Sequence, residues 1–269
     1  MGPGRYRARK SLGQNFILDS AIAEQIVSYA GCLRGCNVIE VGPGLGVMTR
    51  SILEKGVHKL TAIEKDKRLV HVHKSLEEEY PEYECMYQDI LCTDIESLVA
   101  YKPTKMISNL PYNISVILLL KLVQHIHSFE KLVLMFQKEV AERLTANPGQ
   151  KCYAVLSILI QLFCDVKKVA DFPPEVFTPA PKVHSSVVDI TPLKTPRFTV
   201  DYLYFVQFLK KIFQCKRKTI RNSLRSFTNH WCDVLAACNI NPDTRAESLT
   251  IEQLCMLSNS LQATKDYTN

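Results

Sequence analysis

The amino-acid sequence predicts an α/β domain built on a mostly parallel, seven-stranded sheet, followed by a small all-helical subdomain. Between residues 36 and 137, five short segments rich in β-formers alternate with four helical stretches. Because consecutive parallel strands are joined by right-handed helical crossovers, this alternation predicts helices on both faces of the sheet. Two later extended segments complete the seven strands, and beyond residue 200 only helical periodicity remains.

The alternating region supplies five strands and the helices that connect them. The strands are predicted at 37–41, 60–63, 84–87, 105–108 and 132–136. The helices are predicted at 20–30, 47–55, 66–79, 94–101 and 114–126. Asp19 or Ser20 is expected to cap the first helix, because either side chain can accept a hydrogen bond from a free backbone N–H.

The next part of the chain is interrupted by proline. Helices are predicted at 138–146 and 152–163, with the breaker Asn-Pro-Gly between them, and the two further extended segments are 165–169 and 185–190. The proline-rich segment 172–181 can be neither a helix nor a central strand.

A domain boundary is predicted near residue 195, where Pro192 and Pro196 interrupt the chain. We therefore expect one domain over 1–194 and a helical subdomain over 195–269. The helices of the subdomain are predicted at 200–214, 216–228, 230–238 and 250–262.

The net charge of +6 hides an uneven distribution of 33 basic and 27 acidic residues. Residues 1–18 and 210–225 hold eleven of the basic residues and no acid, which leaves the rest of the chain net negative. Two basic segments on an acidic body indicate a polyanionic partner that is contacted at defined places. The alternative is that 216–225 is only the solvated face of an amphipathic helix, with Lys218, Arg221 and Arg225 in one stripe.

The composition excludes several classes of protein. A hydrophobic content of 46% with 22% charged residues is typical of a globular chain. No apolar run reaches the ~18 residues of a membrane span, and the N-terminus lacks the apolar segment of a secretory signal. The ten cysteines and seven histidines show no metal-ligand spacing, so we expect no metal site and reduced cysteines in a cytoplasmic protein.

A glycine-rich turn, Glu40-Val-Gly-Pro-Gly-Leu-Gly46, follows the first predicted strand and opens a helix. Glycine allows the backbone to turn tightly and to approach a ligand without a Cβ in the way. The spacing is G-x-G-x-G rather than the dinucleotide-binding G-x-G-x-x-G. By itself the motif is equally compatible with an ordinary strand–helix turn.

Carboxylates at successive strand ends strengthen the case for a nucleoside site. Glu64 ends the second strand and could accept hydrogen bonds from both hydroxyls of a ribose, and Asp89 follows the third strand, where it could receive the amine of an adenine. The carboxyl ends of neighbouring parallel strands meet at one edge of a sheet, so these acids fit one adenosine. This set is compatible with S-adenosylmethionine at least as well as with NAD.

A polar loop, Asn109-Leu-Pro-Tyr112, follows the fourth strand. The asparagine and two backbone carbonyls can accept hydrogen bonds from an exocyclic amine, and the tyrosine offers a ring face to a planar base. An N-x-P-Y loop at this place resembles the signature of methyltransferases that act on an amino nitrogen conjugated to a ring.

These motifs together resemble the KsgA-type ribosomal RNA adenine dimethyltransferases of bacteria. The resemblance covers residues 9 to 260 in order. It is carried by the segments 10–17, 40–44, 88–89, 109–115, 176–183, 185–188 and 213–224, and by Glu64. It implies a Rossmann-like class I methyltransferase fold with S-adenosylmethionine as cofactor, catalysis in the domain 1–194 and RNA binding by 195–269.

The resemblance also implies roles for individual residues toward the cofactor. Asn15 and Ile17, the latter at a position commonly leucine, would border its methionine end. Gly42 and Gly44 would approach it through the backbone. Glu64 would hold the ribose, Asp89 with Ile90 the adenine, and Asn109 would serve both cofactor and substrate.

The substrate side of the site is implied in the same way. Asn109 and the carbonyl of Leu110 or Pro111 would accept the N–H groups of the target adenine, and Tyr112 and Phe177 would sandwich its ring. His184 stands where the family commonly has aspartate. The residues expected to bind RNA are Arg9, Lys10, Lys216, Arg217, Lys218, Arg221 and Arg225.

The resulting hypothesis is an enzyme that dimethylates N6 of two adjacent adenines in the 3′-terminal hairpin of 16S rRNA, within an immature 30S subunit, as a monomer. Three alternatives stay open: an Erm-type 23S rRNA adenine methyltransferase, a non-catalytic nucleic-acid-binding factor on the same scaffold, and a NAD-dependent oxidoreductase. The glycine spacing disfavours the last of these.

Overall fold

A computed structural model of the chain describes residues 8–214 and 218–266, without the side chains of Lys10 and of residues 264–266. The described residues form two compact units. The main segment of the first unit ends at Ala141 and is completed by Asp165–Pro192, and the second consists of Glu142–Cys164 and the chain from Leu193 onward. The expected division after residue 194 lies close to that last junction. Residues 142–164, which we expected in the first domain, cluster with the C-terminal helices instead.

Within the described parts of the chain, nine strands form two sheets. The strands are β1 (Phe16–Ile17), β2 (Asn37–Val41), β3 (Lys59–Ile63), β4 (Tyr83–Met86), β5 (Thr104–Asn109), β6 (Lys131–Gln137), β7 (Cys164–Phe172), β8 (Phe177–Thr178) and β9 (Ser185–Pro192). The large sheet has seven strands in the order β4-β3-β2-β5-β6-β9-β7. The strands from β4 to β6 run parallel, and β9 lies antiparallel to β6. The prediction of a mostly parallel, seven-stranded sheet is confirmed.

Every predicted helix has a counterpart among the described residues, usually a shorter one. The helices are α1 (Ser20–Ser28), α2 (Val47–Leu53), α3 (Val70–Glu79), α4 (Ile95–Leu98), α5 (Tyr112–Val123), α6 (Lys138–Leu144), α7 (Val155–Phe163), α8 (Tyr202–Phe213), α9 (Ile220–Leu224), α10 (Trp231–Ala237) and α11 (Ile251–Asp266). Asp19 caps α1 by accepting the N–H of Ala21 at 2.8 Å, as predicted.

The expected helix over 216–228 is the largest departure from the predicted helices. Its described part is only the five-residue helix α9, which begins after Thr219; the side chain of Thr219 makes no capping hydrogen bond. Lys218 therefore lies before the helix and does not share a helical stripe with Arg221 and Arg225, so that part of the prediction was wrong. Ile220 and Leu224 of this short helix are buried.

The centre of the large sheet is covered on both faces. Residues 132–136 of β6 are fully buried, as are Met106 and Ile107 of β5. A strand that is buried on both faces carries a continuous apolar run rather than an alternating one, and this explains the composition of β6.

A second, two-stranded sheet joins the N-terminal segment to the proline-rich segment. β1 pairs antiparallel with β8, with Ile17 opposite Phe177. Both side chains are buried in the hydrophobic core of the first unit. This pairing was not predicted, because two-residue strands carry no periodicity.

The strands β2 and β5 separate toward their carboxyl ends. Their ladder covers three pairs and ends at Ile39 opposite Met106, whereas β2 stays paired with β3 through Val41. Beyond that point the Ser108 hydroxyl replaces the ladder, since it donates to the Val41 carbonyl at 2.5 Å and accepts the Val41 N–H at 3.2 Å. The buried backbone groups of Val41 are thereby satisfied although the strands have diverged.

Candidate functional site

An open cleft lies at the carboxyl ends of β2, β3 and β5 in the first unit. The strand order reverses at β2: β3 and β4 lie on one side of it, and β5 and β6 lie on the other. In parallel α/β sheets, ligands bind at the carboxyl ends of the strands where the order reverses in this way. The unfilled space is about 1010 Å³, part of it open to solvent.

The cleft brings together every residue that was predicted to bind the cofactor. Its lining includes Asn15, Ile17, Gly42, Gly44, Glu64, Asp89, Ile90 and Asn109, and also Leu110 and Pro111. Residues distant in the sequence meet here: Asn15 and Asn109, which are joined by a hydrogen bond, are 94 positions apart. The grouping is a property of the fold, and the assignment of roles stays a prediction.

The glycine-rich turn has the backbone conformation that its sequence indicates. Gly42 and Gly44 have φ values of 69° and 58°, in the left-handed region that favours glycine. A Cβ on Gly44 would lie 2.8 Å from the ring of Phe16, and one on Gly42 would contact Pro111 at 3.6 Å. The turn therefore forms a closely packed cradle that side chains would fill.

Glu64 is held at the end of β3 by two backbone donors. Its Oε2 accepts the N–H of Gly44 at 3.3 Å, and its Oε1 accepts the N–H of Asp66 at 2.7 Å. Burial raises the pKa of this carboxyl above its ordinary value, and the two N–H groups oppose that effect. The side chain is fixed in place, with its carboxylate at the cleft wall.

Asp89 caps the short 3₁₀ turn that follows β4. Its Oδ1 accepts the N–H of Leu91 at 2.9 Å, and its Oδ2 pairs with Lys65 at 2.7 Å. The hydrogen bond from Lys65 lowers the pKa of this carboxyl, so it is ionised at neutral pH. Ile90 is buried beside it and contributes an apolar surface to the cleft.

Asn109 ends β5, and its side-chain orientation is determined by a neighbour. Its Nδ2 donates to the backbone carbonyl of Asn15 at 2.9 Å. Because an amide has its donor and its acceptor on opposite sides, this bond leaves Oδ1 as the acceptor that Asn109 can offer to a ligand. Leu110 is buried, and Pro111 precedes the first residue of α5.

The two predicted stacking aromatics differ in their surroundings. Tyr112 is partly exposed at the start of α5, and its hydroxyl is hydrogen-bonded to Ser185 Oγ. Phe177 is only 3% exposed and packs in the core. Neither residue is among those that line the cleft, and their stacking on a base stays a prediction.

Two of the described basic residues that were predicted to bind RNA interact with neighbouring side chains, and two others are exposed. Arg221 pairs with Asp243 at 3.2 Å, the Arg225 guanidinium lies 5.4 Å from the centre of the Trp231 ring, and Lys218 and Arg9 are exposed. Lys216 and Arg217 lie outside the described residues, as do Arg5, Arg7 and the side chain of Lys10.

Two acids and one amide of the site were not assigned a role from the sequence. Glu40 is fully buried at the cleft, where Thr49 Oγ1 donates to its Oε2 at 2.8 Å. Gln14 lines the cleft and bonds to Asp66, which is also buried. Gln14 and Glu40 lie within the motif segments 10–17 and 40–44, and Asp66 stands two residues after Glu64. Their closeness to these motifs was the only sign in the sequence that they belong to the site.

The described residues contain no group of histidine, cysteine or acidic side chains that could hold a metal ion. None of the helices within 8–214 and 218–266 combines the length and apolarity needed to cross a membrane.

Comparison with known proteins connects this site to a family. Residues 5–263 match the family described as "Ribosomal RNA adenine dimethylase". The chain is 65% identical over 259 residues to the "Ribosomal RNA small subunit methyltransferase A" of Anaplasma phagocytophilum (strain HZ), covering 96% of each protein. It is 47% identical over 257 residues to the protein of that name from Wolbachia sp. subsp. Drosophila simulans (strain wRi), covering 95% of this chain and 94% of the relative.

Solved structures show the same architecture. A dimethyladenosine transferase from Plasmodium falciparum superimposes with a TM-score of 0.81 at 27% identity, covering 93% of this chain and 98% of its own. The 23S rRNA methyltransferase ErmE has a TM-score of 0.71 at 22% identity, covering 92% of this chain and all of its own, and at that identity it shows a shared fold.

The buried Glu40 predicts an unusual pH dependence of stability. Burial raises its pKa to about 8, so the folded protein binds this proton more tightly than the unfolded chain. Its contribution to stability is therefore fully present below pH 4.5 and is lost as the pH rises toward 8. Glu40→Gln removes the titrating group. The free energy of unfolding of wild type should fall relative to that of the variant by roughly 3 kcal/mol between about pH 5 and pH 8.

The measurement is urea unfolding across that pH range. Glu78→Gln on the exposed face of α3 is the matched control and should follow wild type. Parallel curves for wild type and Glu40→Gln would contradict a neutral Glu40.

Proposed function

The chain belongs to the ribosomal RNA adenine dimethylase family, and from that membership we propose that it dimethylates N6 of two adjacent adenines in the 3′-terminal hairpin of 16S rRNA. It is an S-adenosylmethionine-dependent rRNA adenine dimethyltransferase, which confirms the enzyme class and cofactor expected from the sequence and overturns the oxidoreductase alternative. The identity of 65% to a small-subunit enzyme supports 16S rRNA over the 23S substrate of the Erm alternative.

The cleft fits S-adenosylmethionine. Only glycine is accommodated at position 44, because a Cβ there would collide with the ring of Phe16. The glycine-rich turn therefore presents its backbone to the cleft at this position. In this proposal Glu64 accepts hydrogen bonds from the ribose hydroxyls, Asp89 accepts one from the adenine amine, and Ile90 packs against the adenine ring. Asn15 and Ile17 would border the methionine end, and Gly42 would contact the ligand through its backbone. When bound, the cofactor supplies a methyl group on a sulfonium sulfur. Once the methyl group is transferred, the rest of the cofactor is a neutral thioether and a good leaving group.

The single observation that carries the mechanism is the orientation of Asn109. The nitrogen of an aminopurine is a poor nucleophile because its lone pair is shared with the ring. An acceptor at each N–H draws electron density back onto the nitrogen and aims the lone pair. Asn109 Oδ1 is available for this, since Nδ2 is held by Asn15. Catalysis then consists of positioning and electrostatics, without a strong general base.

The second acceptor is the Leu110 carbonyl. The alternative, the Pro111 carbonyl, already accepts the N–H of Ile114 at 3.1 Å where α5 begins. Among the turns and loops of the described residues, no backbone N–H donates to the Leu110 carbonyl. Two acceptors on one rigid turn would fix the orientation of both N–H bonds of the amine. After methyl transfer, the nitrogen is cationic and can lose a proton to water.

The target adenine must leave its helix to reach this site, at a cost of a few kcal/mol. Stacking on an aromatic ring returns ~1–3 kcal/mol per base. We propose Tyr112 as the first stacking surface, because its hydroxyl is anchored to Ser185. Phe177 would have to rotate out of the core to complete the sandwich, at the expense of its packing near Ile17.

RNA phosphates are proposed to contact the two basic segments. Arg9 and Lys10 lead into the Asn15 loop, and the second segment carries Lys216, Arg217, Lys218, Arg221 and Arg225. Contacts of this kind are independent of base sequence and weaken steeply with salt. The proposed substrate is an immature 30S subunit in the cytoplasm, engaged by a monomer.

One assay separates the candidate substrates. Labelled S-adenosylmethionine is offered with immature 30S particles, 50S particles and protein-free rRNA, and the modified base is mapped. We expect two labelled adjacent adenines in 16S rRNA and none in 23S rRNA. Label confined to 23S rRNA would favour the Erm alternative, and binding without label would favour a non-catalytic factor.

Loss of the acceptor at Asn109 should abolish transfer without loss of RNA binding. Asn109→Ala is expected to lower kcat by at least ~10²-fold, as for loss of a positioned polar group at a reacting centre. Asn109→Asp keeps an acceptor but loses the donor to Asn15, so its rate should be intermediate. The readouts are single-turnover methylation and filter retention of labelled 30S particles. Asn147→Ala at an exposed turn is the control, and near-wild-type turnover of Asn109→Ala would refute this role.

A further inference from the structure

The N-terminal segment 9–17, here called the strap, borders the cofactor cleft along much of its length. Residues 11–17 all line the cleft. The strap is attached at its end by the β1–β8 pair and in its middle by the bond from Asn109 Nδ2 to the Asn15 carbonyl. The ring of Phe16 packs directly on Gly44. Movement of the strap would therefore disturb both the glycine turn and the orientation of Asn109.

A third attachment joins the strap to the loop after β3. The Gln14 side chain donates from Nε2 to Asp66 Oδ2 at 3.0 Å and accepts the backbone N–H of Arg9 through Oε1 at 2.8 Å. The amide orientation is unambiguous, because a backbone N–H can only donate and a carboxylate can only accept. Gln14 thus closes the strap on itself and fastens it to Asp66.

Asp66 connects this attachment to the predicted ribose ligand. Its carboxylate is buried and is also bonded by Arg68, from Nε at 2.8 Å and from a terminal nitrogen at 2.5 Å. Its own backbone N–H donates to Glu64 Oε1 at 2.7 Å. The hydrogen bond from Arg68 lowers the pKa of Asp66 to about 2, so the carboxylate is charged at any working pH.

We propose that Gln14 and Asp66 are positioning residues that couple the strap to the ribose-binding Glu64, so that the cofactor site forms only when the strap is fastened. Gln14 holds the strap, Asp66 holds Gln14, and the Asp66 backbone holds the Glu64 carboxylate. The proposal assigns neither residue a contact with the reacting atoms. The inference rests on the proposed function, since it assigns Glu64 to the cofactor.

A purely structural role would have a different signature. If the Gln14–Asp66 bond only stabilised the fold, its loss would lower the unfolding temperature and affect cofactor and RNA binding in proportion. A positioning role raises the dissociation constant for cofactor, whereas the thermal stability of the fold without ligand changes little.

Gln14→Glu tests the proposal with almost no change in shape. The introduced carboxyl can still accept from the Arg9 N–H, but when ionised it places a negative charge against Asp66. When protonated it can donate to Asp66 and restore the bond. Binding of S-adenosylhomocysteine, measured by calorimetry, should be weaker by about tenfold at about pH 8 and should return to within about threefold of wild type near pH 5.

Three further variants make the test decisive. Gln124→Glu, on the exposed end of α5, is the matched control and should bind like wild type at both pH values. Gln14→Met removes both hydrogen bonds and should bind weakly at either pH. Combining Gln14→Glu with Asp66→Asn reverses the polarity of the pair and should recover part of the affinity at about pH 8.

The outcomes separate this proposal from the proposed function. Equal affinity of wild type and Gln14→Glu at about pH 8, or a loss that follows the unfolding temperature at both pH values, overturns the positioning role. Failure of wild type itself to bind S-adenosylhomocysteine would instead refute the cofactor assignment. The expected result is a pH-dependent loss of affinity with an unfolding temperature close to that of wild type.

Discussion

The divergence of β2 and β5 is the feature on which the rest of the site depends. Parallel strands that stayed paired to their ends would leave no space between them. Here the ladder ends at Ile39, and the Ser108 hydroxyl satisfies both backbone groups of Val41 that the ladder has released. The cleft therefore opens without leaving the backbone N–H and carbonyl of Val41 unpaired. The glycine turn follows β2, and Asn109 follows Ser108, so both sides of the opening carry functional residues.

The protonation state of each carboxyl group at the cleft is determined by its local hydrogen-bond partners and burial, not by the net charge of the chain. Glu40 is buried with a single hydroxyl donor and is neutral, whereas Asp89 is paired with Lys65 and ionised. Asp66 is as buried as Glu64, but it is stabilised as an anion by Arg68. Neighbouring carboxyls thus hold different charges at one pH, and each can serve a different purpose.

The sequence was sufficient to predict the large sheet, and every residue it proposed for the cofactor lines the cleft. Strand and helix periodicity located the elements of the large sheet, and polar residues at strand ends located Glu64, Asp89 and Asn109. Periodicity failed where the elements were very short, as in the pairing of Ile17 with Phe177 and in the helix that begins only after Thr219.

Long-range side-chain contacts were the second kind of feature that could not be predicted. The partners Gln14 and Asp66 are 52 positions apart, and the sequence gives no sign that an amide and an acid at those places meet. The burial of Phe177 could not be predicted either, because a proline-rich loop indicates an exposed segment. The ring lies in the core because β8 pairs with β1.

The central claim is that one cleft holds the cofactor and orients Asn109 toward the substrate amine. A crystal structure with S-adenosylhomocysteine tests it most directly. The ribose hydroxyls should be bonded to Glu64, the adenine amine to Asp89, and Asn109 Nδ2 should still donate to the Asn15 carbonyl with Oδ1 facing the sulfur side of the site. A nucleoside bound away from these two carboxylates, or an Asn109 amide turned by 180°, would contradict the claim.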